Sequence, residues 1–304
     1  MSITLLSSQK AELAAPEKVV PWRLLSFGVV AAPLLFVLVF FFGPMIWLVL
    51  TSLSTYQIGS VPQLTFTIQN YVDYLGDPFY LVTSLWTTVR LALISTLFAL
   101  GIGYVIAYYI AELPANRRGF LTGLVVVSLA VNIIIRIFGL NVLLMNNGLL
   151  NPSLLWLGVV DRPLRIMYTE TGVLIGLVQI AVPYVVLPLI GVLAAIDPAL
   201  KEAAASVGAS PMRTFWNVTF PLSIPGIIAG SLIVFTLNAA AFAIPAMMGG
   251  GRVRMMGMLA YQQASINGNF PFAATVGICL FAMSLIITVV YLYVVNHKFK
   301  ALRS

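Results

Sequence analysis

Charged residues are scarce in this chain: they make up only 8% of its 304 residues, against about a quarter in soluble globular domains. That shortage excludes an ordinary soluble core, in agreement with a 61% hydrophobic content and a mean hydropathy of +1.02. Cys279 is the sole cysteine, which rules out an intrachain disulfide and a cysteine-built metal cluster. His297 is the sole histidine and closes an apolar run, where a helix-terminal or interfacial place is expected rather than catalysis or metal binding. No lysine follows a glycine, so no Gly-x4-Gly-Lys-Ser/Thr phosphate loop is encoded. With no Ser-His-Asp set and no carboxylate pair in the apolar runs, the chain is expected to carry no catalytic residues, cofactor or metal of its own.

What is present is six charge-poor runs, each long enough for the roughly 20 residues that a bilayer core of about 30 Å requires of a helix. They cover Leu24 to Leu53, Leu81 to Ile110, Phe120 to Met145, Thr171 to Ile196, Ile224 to Met248 and Phe272 to Val295. Their length and continuity favour helices over the alternating strands of a barrel. The fold class expected is an all-α membrane protein with six transmembrane helices over 24–296, flanked by tails at 1–23 and 297–304. The first run is far longer than a secretory h-region and lacks a small-x-small site at its end, which reads as an uncleaved signal anchor.

The net charge of +7 forms no basic run with interleaved aromatics, so nucleic acid is not an expected partner; membrane lipid is. Six crossings with a cytoplasmic N-terminus place Lys10, Lys18, Arg23, Arg117, Arg118, Lys201, Arg213, Lys298, Lys300 and Arg303 inside. Arg162, Arg165, Arg252 and Arg254 then lie outside, and Arg90 and Arg136 fall within spans. This asymmetry predicts both termini in the cytoplasm. The short turn at Pro114, with Arg117 and Arg118, predicts that the second and third spans pack together. Pro44, Pro183, Pro188 and Pro245 fall inside apolar runs and predict bends.

One connection stands apart. Between the fourth and fifth runs, residues 197–221 are polar enough to leave the bilayer yet strongly helix-forming. Asp197 can cap a helix with Pro198 at its first position, Gly208 can end it, and Ser210-Pro211 can open another. The prediction is helix, sharp turn, helix. Either a knob for another protein to grip or an amphipathic loop on the membrane interface fits that pattern.

The spacing within the segment is more specific. Glu202-Ala203-Ala204, three residues, Gly208, nine residues, Val218, then Phe220-Pro221 resembles the EAA signature of permease subunits of type I ABC importers. Val218 stands where isoleucine is usual and Phe220 where leucine is. The likeness continues in Gly172 to Gly176, Val182-Pro183-Tyr184, Leu187-Pro188-Leu189, Pro221 to Ile227, and Pro245 followed by Gly249-Gly250, which resemble the spermidine/putrescine-type branch. That branch also includes permeases for opines, phosphonates and other small solutes.

The resemblance implies a coupling helix carried by Asp197, Glu202, Ala203, Gly208, Val218 and Pro221, which docks on a nucleotide-binding subunit. It further implies two such ATPase subunits holding ATP and Mg, a second homologous permease, and a periplasmic binding protein that delivers a polyamine-type solute to the inner membrane. Pairing with a similar permease is expected, and a homodimer remains an alternative.

A charged side chain at the bilayer centre costs at least about 2.5 kcal/mol, which singles out Arg90 and Arg136. Both are expected about 10 residues, or roughly 15 Å, from the external ends of their spans. They either line the pathway or lock helices by meeting backbone carbonyls or the external carboxylates Asp73, Asp77 and Glu170. Gln179, Asn132 and Asn238 either face the pathway or bridge helices by hydrogen bonds. No Asp or Glu lies in any run, which disfavours an ion-coupled secondary transporter and, for the importer, leaves an anionic or zwitterionic solute beside the polyamine.

Overall fold

A computed structural model describes residues 31, 33–56 and 65–303. The amino-terminal tail over 1–23, the start of the first run and the middle of the first external connection lie outside the described residues. Two units divide the chain, the first ending at Leu50 and the second beginning at Thr51.

Twelve helices follow one another among the described residues. Helix α1 (Pro33–Ser52) belongs mostly to the first unit and contains a π-helical turn at Leu38–Phe42. The second unit holds α2 (Gln69–Gly76), α3 (Phe79–Ala111), α4 (Ala115–Ala130), α5 (Ile133–Leu144), α6 (Leu150–Trp156) and α7 (Glu170–Ala194). These lead to α8 (Pro198–Ser206), α9 (Pro211–Ala239), α10 (Ala243–Met248), α11 (Met256–Ser265) and α12 (Phe270–Arg303). Five of these helices, α1, α3, α7, α9 and α12, are long and apolar enough to cross a membrane, and α4 with α5 adds a sixth if that bent pair counts as one span.

Two expectations need correction. The third run is not continuous, because its axis turns by 92° between α4 and α5. Val131 and Asn132 both take extended backbone, and the Asn132 side chain caps α5 by accepting from the Ile134 N–H at 2.8 Å. Asn132 is therefore a helix cap and not a polar bridge inside a span. The fifth run also breaks early: α9 ends at Ala239, and Pro245 sits in the separate α10. Here the Gly257 backbone closes on the Ala240 and Ala241 carbonyls, leaving only 2.8 Å for a Cβ to either oxygen. Helix α12 continues past Val295 to Arg303, through the segment expected as the carboxy-terminal tail.

The centre of the second unit is the trio α3, α7 and α9, which pack on one another. On α3, Ser95, Ala99, Gly103 and Ala107 recur every fourth residue and are all buried. Such a stripe lets helix backbones approach closely, which in lipid is the main source of helix association. A Cβ on Gly103 would lie 2.7 Å from Val185 Cγ1 of α7, and one on Gly230 of α9 would lie 3.3 Å from Val185 Cα. Ala181, Val185, Val186, Leu189 and Val234 fill the space that remains. Beside the trio, α12 packs on α11 and α2 through Tyr74, Met256, Phe272 and Val276. Thr88 of α3 ties this group to the centre by accepting the Met256 N–H at 2.9 Å.

Candidate functional site

The 197–221 segment folds as its local chemistry dictates. Asp197 caps α8, its Oδ1 accepting the Ala199 N–H at 2.9 Å, and Pro198 occupies the first turn. Gly208 takes a φ of +80°, a left-handed conformation that favours glycine. Ser210 caps the next helix, its Oγ accepting the Arg213 N–H at 3.3 Å, with Pro211 in the first turn. Phe215–Thr219 then forms a π-helical turn that leads into the body of α9. The result is helix, left-handed turn, helix.

Asp197, Glu202, Ala203, Gly208 and Pro221 are exposed, and Val218 is half-buried. Apolar side chains are exposed here too: Val207 at 82% and Met212 at 67% flank the turn. Exposed polar and apolar groups on a rigid turn provide a surface for contact with another molecule.

The segment is also fastened to the bundle by residues that sequence reasoning missed. Lys201 of α8 forms an ion pair with Glu112 at the end of α3, and its ammonium lies 5.9 Å from the Tyr108 ring centroid. Phe215 packs edge-on against Tyr104 at 5.9 Å and Tyr108 at 5.5 Å. The Tyr104 hydroxyl is 3.0 Å from Ser223 Oγ on α9. Tyr104, Tyr108 and Glu112 lie at i, i+4 and i+8, one face of a helix. That periodicity is the sequence signal that could have found them.

The four candidate pathway residues divide. Arg90 Nη2 lies 2.5 Å from both carboxylate oxygens of Glu170, joining α3 to the start of α7. Its Nε is buried with no partner. Arg136 of α5 donates from Nη2 to the Gln179 carbonyl at 3.0 Å. Four residues on from Gln179 stands Pro183, which has no N–H to give that carbonyl. The guanidinium supplies the donor that the proline removes. Asn238 is only 3% exposed and donates to Ser95 Oγ at 2.7 Å, linking α9 to α3. The Gln179 side chain is exposed and lines a groove of about 420 Å³ with Phe98, Ile102, Leu174, Val178 and Val182.

Among the described residues no group of three or more His, Cys, Asp or Glu is placed to hold a metal. The chemistry on view is therefore shape, apolar contact and ion pairing, located at a helical loop and along a central trio of helices.

Residues 99–300 match the family described as the binding-protein-dependent transport system inner membrane component. The spermidine/putrescine transport system permease protein PotB of Escherichia coli (strain K12) is 38% identical over 252 residues, covering 83% of this chain and 91% of that protein. Among solved structures, a bacterial ABC transporter involved in the import of the acidic polysaccharide alginate aligns with a TM-score of 0.73 at 17% identity, covering 90% of this chain and 95% of that one. The bacterial alginate transporter in complex with its alginate pentasaccharide-bound periplasmic protein aligns with a TM-score of 0.71 at 18% identity, covering 88% and 92%.

Proposed function

The chain belongs to the binding-protein-dependent transport system inner membrane components, the permeases of ABC importers, and from that membership we propose that it is one half of a polyamine pathway driven by ATP hydrolysis on separate subunits. A second, homologous permease completes the pathway, two ATPase subunits holding ATP and Mg grip the helical loops from the cytoplasm, and a periplasmic binding protein delivers the solute. Closure of the ATPases draws the two loops together and opens the spans outward; hydrolysis returns them inward.

The observation that carries this reading is the exposed turn at Gly208, with Val207 and Met212 beside it and Lys201 and Phe215 fastening it to α3. A loop that is rigid, exposed and latched to the core can pass displacement to the bundle. Asp197, Glu202, Ala203, Val218 and Pro221 shape or flank it.

The reading has six crossings, the bent pair counted as one, with both termini cytoplasmic. Helix α4 begins beside the end of α3, while Met145, just after α5, lines the same cavity as Thr169, just before α7. The bent pair therefore passes from one end of the bundle to the other. Gln179, in its groove on α3 and α7, is the favoured pathway contact, and Arg90 and Arg136 rank after it. These arginines, and the absence of Asp and Glu from the apolar runs, favour an anionic or zwitterionic solute as the second reading.

The test is ATP hydrolysis by the complex reconstituted with its binding protein, which is offered polyamines, opines and phosphonates in turn. Stimulation by polyamines supports the first reading, and stimulation by an anionic or zwitterionic class alone supports the second. For the loop, Gly208→Asp is expected to leave membrane insertion intact and to weaken ATPase co-purification. Normal transport by that variant would sink the coupling role.

A further inference from the structure

A cavity of about 590 Å³ opens at the end of the bundle opposite the helical loop. The two ends are separated by the whole of α7, 25 residues or roughly 37 Å. Three chain segments meet around the cavity: Met145 and Asn147 after α5, Arg165 to Thr169 before α7, and Arg252 after α10.

Its rim is braced from within. Asn151 is fully buried, donates from Nδ2 to the Asn146 and Leu164 carbonyls at 3.3 and 3.1 Å, and accepts the Leu164 N–H at 2.8 Å. The residue next to Arg165 is thus clamped on both its backbone groups. Tyr168 holds a left-handed φ of +62° and donates its N–H to the Met248 carbonyl at 2.9 Å. Gly250, at φ +55°, accommodates the tyrosine ring; a Cβ there would stand 2.5 Å from Tyr168 Cδ1. A left-handed backbone at a tyrosine persists only where its surroundings enforce it.

Into this braced rim come two arginines. Arg165 and Arg252 are both exposed, and neither takes part in the ion pairs found among the described residues, which are Arg90 with Glu170 and Lys201 with Glu112. Guanidinium groups match carboxylates with two parallel donors, and the rim adds the Asn147 side-chain amide. The same two charges repel a polycation, so the cavity is no mouth for a polyamine. A carboxylate borne by the delivering protein satisfies both conditions.

We propose that Arg165 and Arg252 form an anion socket that receives a carboxylate side chain of the periplasmic binding protein as it docks, which rests on the importer reading above. The experiment uses the whole complex in nanodiscs of zwitterionic lipid and follows ATP hydrolysis against the concentration of solute-loaded binding protein. Arg165→Glu with Arg252→Glu is expected to raise the half-saturating concentration at least about tenfold at low salt while sparing the maximal rate, because like charges then face each other. Added salt is expected to raise the half-saturating concentration of the unsubstituted complex and to leave that of Arg165→Gln with Arg252→Gln nearly unchanged. A lysine replacing one acidic residue on the binding protein's docking face is expected to restore the reversed variant.

An unchanged half-saturating concentration in both variants, with the complex eluting intact, overturns the socket and leaves the importer reading standing. If the unchanged value comes with activity that now differs between neutral and anionic nanodiscs, the arginines serve lipid headgroups and the proposal again fails. Absence of any stimulation in the unsubstituted complex overturns both readings together.

Discussion

Helix α7 contains Pro183 and Pro188 and runs unbroken for 25 residues, whereas the stretch that becomes α4 and α5 contains no proline and turns by 92°. The difference lies in what surrounds each. Helix α7 is clamped between α3 and α9, with eleven of its residues buried, while α4 has none buried. A proline takes away one backbone donor and adds a local clash; a packed neighbour can absorb both. The bend at Asn132 places Arg136 where its guanidinium meets the Gln179 carbonyl that Pro183 leaves open. The broken helix thus completes the unbroken one.

This contrast can be broken most severely at the clamp. Gly103→Leu would drive a side chain into Val185 and push α3 from α7, an overpacking that costs about 1–3 kcal/mol and occasionally more. The expected outcome is a large fall in the thermal unfolding midpoint of the detergent-extracted protein, with little intact protein on size exclusion. Next in size is Arg136→Met, which orphans the Gln179 carbonyl at a cost of about 1–3 kcal/mol. In a Pro183→Ala background the helix supplies its own N–H, so the same change is expected to cost less. Equal costs in both backgrounds, measured as a double-mutant cycle, would show that the arginine does not fill the proline's gap. The smallest effect belongs to Asn132→Ala, which removes the cap of α5 for about 1 kcal/mol. Paired spin labels on α4 and α5 are expected to keep their separation but with a broader distribution.

Much of the helical loop was legible because its determinants are local. Asp197-Pro198, Gly208 and Ser210-Pro211 each act within a few residues, and each does in the structure what its chemistry predicts. The long apolar helices were legible for the same reason. The attachments were legible only by half: Tyr104, Tyr108 and Glu112 share one helix face, but Glu112 and Lys201 are 89 residues apart and nothing near either points to the other. The break at Val131-Asn132 escaped notice because an asparagine in an apolar run reads equally as a cap or as a polar bridge. At the break after Ala239 the Gly257 backbone lies against the Ala240 and Ala241 carbonyls, a contact between distant segments that no local signal announces. Arg90 shows the intermediate case, since Glu170 could be named among its candidate partners but not chosen from sequence alone.

The partnerships of α3 also set an order in time. Arg90 waits for Glu170, 80 residues later, and Ser95 waits for Asn238, 143 residues later. At synthesis rates of about 5–20 residues per second, α3 emerges roughly 4–16 s before its ion-pair partner and roughly 7–29 s before its amide partner. Until α7 and then α9 follow, the stripe of small residues on α3 lacks the helices that cover it in the finished bundle. The expected consequence for biogenesis is that the insertion machinery or the surrounding lipid holds α3 until Glu170 and Asn238 have been made.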